Sequence, residues 1–343
     1  MLTPDPHARP APISPDVEAE LAAALPETQG SRFFPMIRGL AWHLLAFILL
    51  AAAALILWRE FHELSLAELA GAIRAWGWDS AAWALGLSAT SFLLMGVIEW
   101  LGLRWAGARI TVRAALAGSF IASSIAHSLG ANLIVSGAVR ARYYAKHGVT
   151  LRQVAATTLF HGFSFTVGLS TLAGVALLAA GSHDIAAASR IANPVADGLG
   201  ATLLAGVGAY VVLCATLRRP LRGFGHSLRL PSVRVALAQL SIGAVDNAVA
   251  AAIIWVLLPS ASVGYLTFVS AYAPSVVVGL ISHVPGGVGV FEGSVSTLLK
   301  GLEPAGLAAA FLGYRLFFFL LPLLIGSLAL AIDTVRERAA KRI

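Results

Sequence analysis

Four charged side chains lie within or beside long apolar runs of this sequence, where an ionised group is expensive. They are Glu99, Asp246, Glu292 and Arg315. Each such group costs roughly 2.5–3.5 kcal/mol on membrane-insertion scales, so each is a candidate for function. Asp246 lies in the middle of its run, next to Asn247, and cannot reach an interface. We therefore expect its carboxylate to face a polar cavity.

The other three charges have competing interpretations. Glu99 lies near the end of its run, so it is either an interfacial residue paired with Arg104 or a buried functional group. Glu292 and Arg315 fall in neighbouring segments, and we expect them to form a pair. That pair would be either part of a binding site or a purely structural ion pair.

Three histidines, His127, His161 and His283, also fall in apolar segments. A metal site would call for ligand spacings such as His-Glu-x-x-His, which the sequence does not contain. We therefore predict no metal site and no cofactor. Each histidine is interpreted either as a hydrogen-bonded structural residue or as part of a proton relay.

A glycine-rich segment, Ser282–Gly293, follows the seventh apolar run. Its proline ends the preceding helix, and its glycines permit positive φ and close approach of the backbone to a ligand. Irregular backbone at membrane depth occurs only where it is buried in protein or lines a wet cavity. We expect a binding site here, with an anion such as phosphate at the N terminus of the returning helix. The alternative is a close-packed contact between helices. The candidate residues are His283, Pro285, Gly286, Gly287 and Gly289.

A second polar interruption lies in the third apolar run and includes His127 and Asn132. A basic and aromatic segment that contains Arg142 and Tyr143 follows it. Basic residues interleaved with tyrosines beside a bilayer suit an anionic lipid headgroup, although they also serve simply to set membrane orientation. These four residues complete the set of candidate binding residues.

The elements that must position these residues are membrane helices. Of the 343 residues, 58% are hydrophobic and 12% are charged, about half the charge of an average soluble domain. Eight apolar runs approach the ~20 residues that a spanning helix needs. They are 39–58, 80–103, 114–137, 153–180, 195–217, 235–258, 263–284 and 305–332. The net charge of +7 comes largely from the segments between runs, which indicates membrane orientation rather than nucleic-acid binding.

The distribution of basic residues favours six full spans and two re-entrant helical hairpins. If all eight runs cross the membrane, 11 Lys and Arg residues fall on each side. If the third and seventh runs return to the side they entered, 19 fall in the cytoplasm and three outside. The second arrangement follows the positive-inside rule. The predicted fold is an all-α polytopic membrane protein with both termini in the cytoplasm.

This topology predicts a single integral membrane domain over 39–335. A disordered cytoplasmic tail over 1–38 would precede it, and a basic cytoplasmic tail over 336–343 would follow it. Two units, 80–180 and 235–332, would each consist of a span, a hairpin and a span, in opposite orientations.

A repeat between the two units has weak support from the sequence. At an offset of 156 residues, four identities align the first hairpin with the second: His127, Gly130, Gly137 and Val139 match His283, Gly286, Gly293 and Val295. Inverted repeats with broken helices are typical of alternating-access transporters.

Over roughly residues 40–335, the sequence resembles the lysylphosphatidylglycerol synthase transmembrane-region family. The resemblance rests on the SHVPGGVGVFEG hairpin, on Gly137 followed by Arg142–Tyr143, and on Tyr314–Arg315. It implies a bacterial inner-membrane lipid translocase fold that moves aminoacylated phosphatidylglycerol. The soluble aminoacyl-transferase domain of the full-length synthases has no counterpart in this sequence, so we do not expect an enzyme. Many relatives carry a Glu–Arg pair where this chain has Phe160–His161, which leaves the headgroup open.

Two functions are compatible with these features. In a flippase, the headgroup of an anionic or aminoacylated phospholipid would enter a polar cavity between the hairpins. Asp246, Glu292 and His283 would contact its cationic part, with the Gly286–Gly289 backbone, Arg142 and Arg315 near the phosphate. Alternatively, the protein is a non-transporting accessory subunit of a lipid-modifying or glycosyl-transferring enzyme. Such an enzyme, or a second copy of the chain, would be its protein partner.

Overall fold

The computed structural model describes most of the chain from residue 71 onward. The described residues are 71, 74, 76–129, 132–179, 193–217, 221–223, 226–228, 230–258, 263–282, 287–299, 302 and 304–340. They fall in one compact unit that spans Leu49–Ile343. The first predicted span, 39–58, and the N-terminal tail lie outside the described residues.

Helices make up nearly all of the described chain. In chain order they are α1 (Trp78–Trp105), α2 (Val112–Leu129), α3 (Asn132–Ala145), α4 (Leu151–Ala179), α5 (Asn193–Thr216), α6 (Val233–Trp255), α7 (Tyr265–Ile281), α8 (Val290–Leu298), α9 (Pro304–Tyr314) and α10 (Leu321–Ala340). A π-helical segment, Arg315–Leu320, joins α9 to α10 without a break. Two three-residue strands, β1 (Leu221–Gly223) and β2 (His226–Leu228), form an antiparallel ribbon between α5 and α6.

Five of the predicted spans correspond to helices that are long and apolar enough to cross a bilayer. They are α1, α4, α5, α6 and the continuous helical run over 306–336. At 1.5 Å per residue, the 23 residues of α6 extend about 35 Å, which exceeds the ~30 Å hydrocarbon core of a bilayer. The protein is therefore a multi-pass membrane protein.

The two predicted units share one order of elements. In the first, the long helix α1 is followed by the broken pair α2–α3 and then by the long helix α4. In the second, α6 is followed by the broken pair α7–α8 and then by the long run of α9, the π segment and α10. The two helices of each broken pair pack against one another, as the hairpin interpretation expects.

Close approach of α4 and α6 brings the two units together. Gly168 and Gly243 lie at the crossing, where a Cβ on either glycine would collide with backbone of the opposite helix. Small residues allow such approach in membrane helices, where lipid provides no hydrophobic force for association. The buried apolar core extends from this crossing through α1, α7, α8 and α9.

Pro322 and Ser88 account for the hydrogen bonding at the end of the π segment. The N–H of Leu321 donates to the carbonyl of Leu316, five residues earlier. Continuing that pattern, Pro322 would donate to Phe317, but proline has no N–H. The Ser88 hydroxyl of α1 donates to the Phe317 carbonyl instead, at 2.8 Å. A backbone group that would be costly to leave unpaired in lipid is thus satisfied by a neighbouring helix.

One detail differs from the all-α prediction. The segment between α5 and α6 contains the β1–β2 ribbon, in which the backbone groups of the two strands pair with each other. The last helix runs to Ala340, through residues 336–340, which are Arg, Glu, Arg, Ala and Ala, all good helix formers. The basic tail over 336–343 stays a prediction.

Candidate functional site

A cavity of about 370 Å³ lies between the two units. Its volume is within the range of small-molecule sites. Residues of α1, α2, α3, α4, α6, α7, α8, α9 and the π segment line it. Its charged, imidazole and amide side chains are His127, Arg140, His161, Asp246, Asn247 and Arg315. The cavity lies between the two broken helix pairs, and Asp246 is one of its lining residues.

A buried cluster of three ionisable side chains forms one wall of the cavity. Arg140 Nε of α3 lies 2.8 Å from Oε1 and 3.0 Å from Oε2 of Glu99 on α1. His161 Nδ1 of α4 lies 3.1 Å from Glu99 Oε2 and 3.3 Å from an Arg140 terminal nitrogen. Glu99 is fully buried and Arg140 is 2% exposed. Three elements of the first unit are thus joined by one network of charge-assisted hydrogen bonds.

This cluster overturns one interpretation of Glu99. Pairing with Arg104 at the interface is wrong, because Arg104 is exposed and its guanidinium lies over the Trp100 ring, 4.9 Å from the centroid. Glu99 is instead a buried group whose partner is Arg140. The pairing with Arg140 was not predicted, because in the sequence Arg140 is one of the basic residues interleaved with tyrosines that suit an anionic headgroup or set membrane orientation.

Asp246 contacts a second helix through one hydrogen bond. The hydroxyl of Ser91 on α1, which is fully buried, lies 2.5 Å from Asp246 Oδ1. Among the described residues, no Lys, Arg or His nitrogen forms an ion pair with this carboxylate. Arg315 forms its ion pair with Glu292 and not with Asp246.

Glu292 joins the second hairpin to the π segment. Arg315 Nε donates to Glu292 Oε1 at 2.9 Å, and an Arg315 terminal nitrogen contacts the same oxygen. The expected contact between Glu292 and Arg315 is therefore present. The other oxygen, Oε2, accepts the Gly289 N–H at 2.8 Å. Gly289 adopts φ 79°, a conformation that glycine takes without strain.

At the N terminus of the returning helix, where we expect a phosphate, a side-chain carboxylate already accepts a backbone hydrogen bond. The helix α8 begins at Val290, and Gly289 precedes it. The Gly289 N–H already donates to the Glu292 carboxylate, which is an anion supplied by the helix itself. Gly287, with φ 66°, lines the cavity.

A row of ring contacts along the cavity wall connects the two broken helix pairs. Phe291 of α8 contacts Tyr314 with a centroid distance of 6.2 Å, and Tyr314 stacks on Phe318 at 5.2 Å. Phe318 in turn stacks on His127 of α2 at 5.7 Å. The Nδ1 atom of His127 is buried without a hydrogen-bond partner in the described structure. The hairpins thus meet through aromatic side chains near the cavity.

Arg142 and Tyr143 lie away from the cavity, contrary to the expected position near a phosphate. An Arg142 terminal nitrogen donates to the Thr334 hydroxyl at 2.7 Å. Tyr143 packs on Tyr144 and lies under the Lys146 ammonium, which is 4.2 Å from the ring centroid. Helical periodicity explains the difference, because a step of two residues turns by about 200° around a helix axis, so Arg140 faces inward while Arg142 faces another side of α3.

Four candidate residues cannot be placed in full. His283, Pro285 and Gly286 lie outside the described residues, and only the backbone of Asn132, at the start of α3, is described. Within the described ranges, no three His, Cys, Asp or Glu side chains come together in a way that could hold a metal ion.

Comparison with known proteins agrees with this architecture. The family model described as the lysylphosphatidylglycerol synthase transmembrane region matches residues 43–326. Inner membrane protein YbhN of Escherichia coli K12 is 32% identical over 270 residues, which cover 76% of this chain and 81% of YbhN. The protein slr0712 of Synechocystis sp. is 28% identical over 295 residues, 81% of this chain and 91% of slr0712. The chain belongs to the lysylphosphatidylglycerol synthase transmembrane-region family.

Proposed function

We propose that this protein moves a phospholipid headgroup across a bacterial inner membrane through the central cavity. The observation that carries the proposal is a cavity of about 370 Å³, inside a bundle of membrane helices, that is lined by charged side chains of both units. Ionisable groups in a membrane interior are expensive and mark substrate pathways. A lipid headgroup is a polar ligand that reaches such a site from the bilayer itself.

The lining of the cavity supports a lipid rather than a fully soluble ligand. Leu133 of α3 and Leu280 of α7 both line the cavity, and each is 52% exposed on the outer surface. Apolar, half-exposed side chains at a cavity rim provide a surface along which acyl chains can stay in hydrocarbon. The headgroup alone would then occupy the polar interior.

Charge balance favours a headgroup that carries a cation. Arg140 is neutralised by Glu99 and Arg315 by Glu292, whereas Asp246 has no ion-pair partner among the described residues. A cationic headgroup next to Asp246 would supply the missing charge. The family resemblance points to aminoacylated phosphatidylglycerol as a lipid with such a group.

In the topology that we propose, the protein has six spans and two re-entrant hairpins of opposite orientation, and both termini lie in the cytoplasm. Opposite hairpins that meet at one cavity suit alternating access, in which the site opens first to one side and then to the other. In this function the side chains of the cavity bind and release a headgroup and catalyse no reaction.

Reconstitution tests the proposal. The purified protein is placed in liposomes that contain phosphatidylglycerol carrying a lysyl group and a fluorophore on one acyl chain. A membrane-impermeant reductant then measures how fast the fluorophore leaves the inner leaflet. The proposal expects faster exchange than in protein-free liposomes. Exchange equal to that of empty liposomes would contradict it and favour an accessory subunit that acts only with an enzyme partner.

A further inference from the structure

Asp246 is a carboxylate that lines the cavity, and unlike Glu99 and Glu292 it has no cationic partner within the described chain. Glu99 and Glu292 each contact an arginine. The carboxylate of Asp246 contacts only the Ser91 hydroxyl, at 2.5 Å. An ionised carboxylate in this position would be the one charge of the described cavity lining that the protein does not neutralise itself. It therefore requires a cation or a proton.

Among the described residues, no group of three His, Cys, Asp or Glu side chains that could hold a metal ion includes Asp246. The sole hydrogen-bond partner of its carboxylate there is the Ser91 hydroxyl. The amide nitrogen of Asn247 is directed away, toward the carbonyls of Gly243 and Phe165. A proton needs only one acceptor, so it fits this environment.

Ser91 suits both protonation states of the carboxyl group. A hydroxyl both donates and accepts hydrogen bonds and rotates freely between the two roles. It can donate to an ionised Asp246 and accept from a protonated one at the same distance. The site can therefore gain and lose a proton without rearranging α1 against α6.

The other titratable groups around Asp246 are already engaged or uncharged. On the helices packed against α6, these groups are Glu99 of α1, His161 of α4, Tyr210 of α5, Tyr272 of α7 and Tyr314 of α9. Three more line the cavity, namely His127, Arg140 and Arg315. Glu99, Arg140 and His161 form one cluster, and Arg315 pairs with Glu292. Tyr210 donates to Gln239. Asp246 is thus the group whose charge changes with the occupant of the cavity.

From this geometry we propose that the Asp246–Ser91 pair is a proton-binding site that exchanges one proton for one cationic headgroup. The inference rests on the proposed function. When the cavity is empty, a proton binds the carboxylate and gives a neutral carboxyl group. When a headgroup enters that carries one net positive charge with its phosphate included, the carboxyl group releases that proton to water and the resulting carboxylate faces the cationic part. Either way the cavity carries no net charge as it changes sides, so proton and lipid move in opposite directions.

A pH gradient across liposomes tests the exchange. One pH unit is a tenfold ratio of proton activity, so one-for-one exchange drives the lysyl lipid toward the acidic side by up to about tenfold at equilibrium. The Asp246→Asn variant should lose this dependence. Asp197→Asn, which makes the same change at an exposed position of α5, should keep it.

Two flux results would overturn the inference while leaving the proposed function intact. One is lipid movement in the unmodified protein that ignores a pH gradient. The other is movement driven by a sodium gradient at constant pH.

Infrared difference spectroscopy gives a readout that does not depend on transport. The empty protein should show the carbonyl stretch of a protonated carboxyl group, which disappears on addition of the lysyl lipid and is missing in Asp246→Asn. In Ser91→Ala the band should persist to higher pH, because the ionised carboxylate has lost its hydrogen-bond donor. A band that is absent in the unmodified protein, or unchanged by Asp246→Asn, would rule out the proton site even if lipid transport is observed.

Discussion

Individual charges in the cavity wall are held by partners from distant parts of the chain. Arg140 meets Glu99 across 41 sequence positions, and Arg315 meets Glu292 across 23. Removing one member of a buried pair leaves the other charge uncompensated in a medium of low dielectric constant, which typically costs about 3–5 kcal/mol. These pairs therefore fix the relative positions of α1, α3, α8 and the π segment as well as the electrostatics of the cavity.

Replacing Arg140 should therefore destabilise the protein strongly. In Arg140→Gln the fully buried Glu99 loses its cationic partner, and we expect a loss of about 3–5 kcal/mol in the free energy of unfolding. Thermal unfolding in detergent measures the effect. Arg104→Gln is the matched control, since Arg104 is exposed and stacks on Trp100, and it should stay within about 0.5 kcal/mol. Equal effects of the two variants would contradict the role of the cluster.

The residues of the site were only partly predictable from the sequence. Asp246 and the Glu292–Arg315 contact followed from the cost of charges in apolar runs. Arg140 did not, because a basic residue shortly after an apolar run is ordinarily an orientation signal. A Glu and an Arg on separate elements show no spacing that relates them. Only the packing of α1 and of α3 against α2 and α4 brings them together.

Among the elements, the long run from α9 to α10 depends on a contact with α1. The Ser88 hydroxyl supplies the donor that Pro322 lacks. In Ser88→Ala the Phe317 carbonyl would be left unpaired, and we expect a loss of about 1–3 kcal/mol of unfolding free energy. Pro322→Ala restores a backbone N–H, so it should recover most of that loss in the double variant. A double variant no more stable than Ser88→Ala would show that the serine does not serve this carbonyl.

The crossing of α4 and α6 is the second element-scale feature. In Gly243→Ala the new methyl group would collide with the Ser164 carbonyl of α4, and we expect about 1–3 kcal/mol of destabilisation from overpacking. Gly208→Ala on α5 is the control, because open space surrounds its Cβ position. There the higher helix propensity of alanine should leave stability unchanged or raise it. Thermal unfolding measures both variants. A Gly243→Ala protein as stable as Gly208→Ala would show that the crossing does not require a glycine.

Elements were more predictable than residues, for a physical reason. The lengths of α1, α4, α5 and α6 follow from apolar runs that must match the thickness of a bilayer, which leaves little freedom. The π segment was not predicted, because it depends on one proline together with a serine on another helix. The β1–β2 ribbon was missed because short strands outside the membrane leave almost no trace in hydropathy.

For the whole molecule, the proposed re-entrant topology predicts that the end of α3 lies in the cytoplasm. Ala145 is exposed at that end, and Cys214 is the single cysteine of the chain. On a Cys214→Ser background, Ala145→Cys should react with an impermeant thiol reagent from the cytoplasm only. Asp79→Cys, exposed at the start of α1, should react from the opposite side. Labelling of Ala145→Cys from outside would contradict the hairpin topology and the opposite orientation of the two units.

The central claim is that lipid headgroups pass through the cavity, and filling the cavity tests it most directly. Gly162 lines the cavity, and a Cβ at this position would lie at an ordinary contact distance of 3.5 Å from Leu133. Leucine at Gly162 should therefore occupy the cavity without disturbing α4. In liposomes, Gly162→Leu should move the lysyl lipid about tenfold more slowly, equivalent to about 1.4 kcal/mol on the barrier. Gly206→Leu, whose Cβ faces open space, should move it at the unmodified rate. A folded Gly162→Leu protein that moves lipid at the unmodified rate would show that the headgroup does not pass through this cavity.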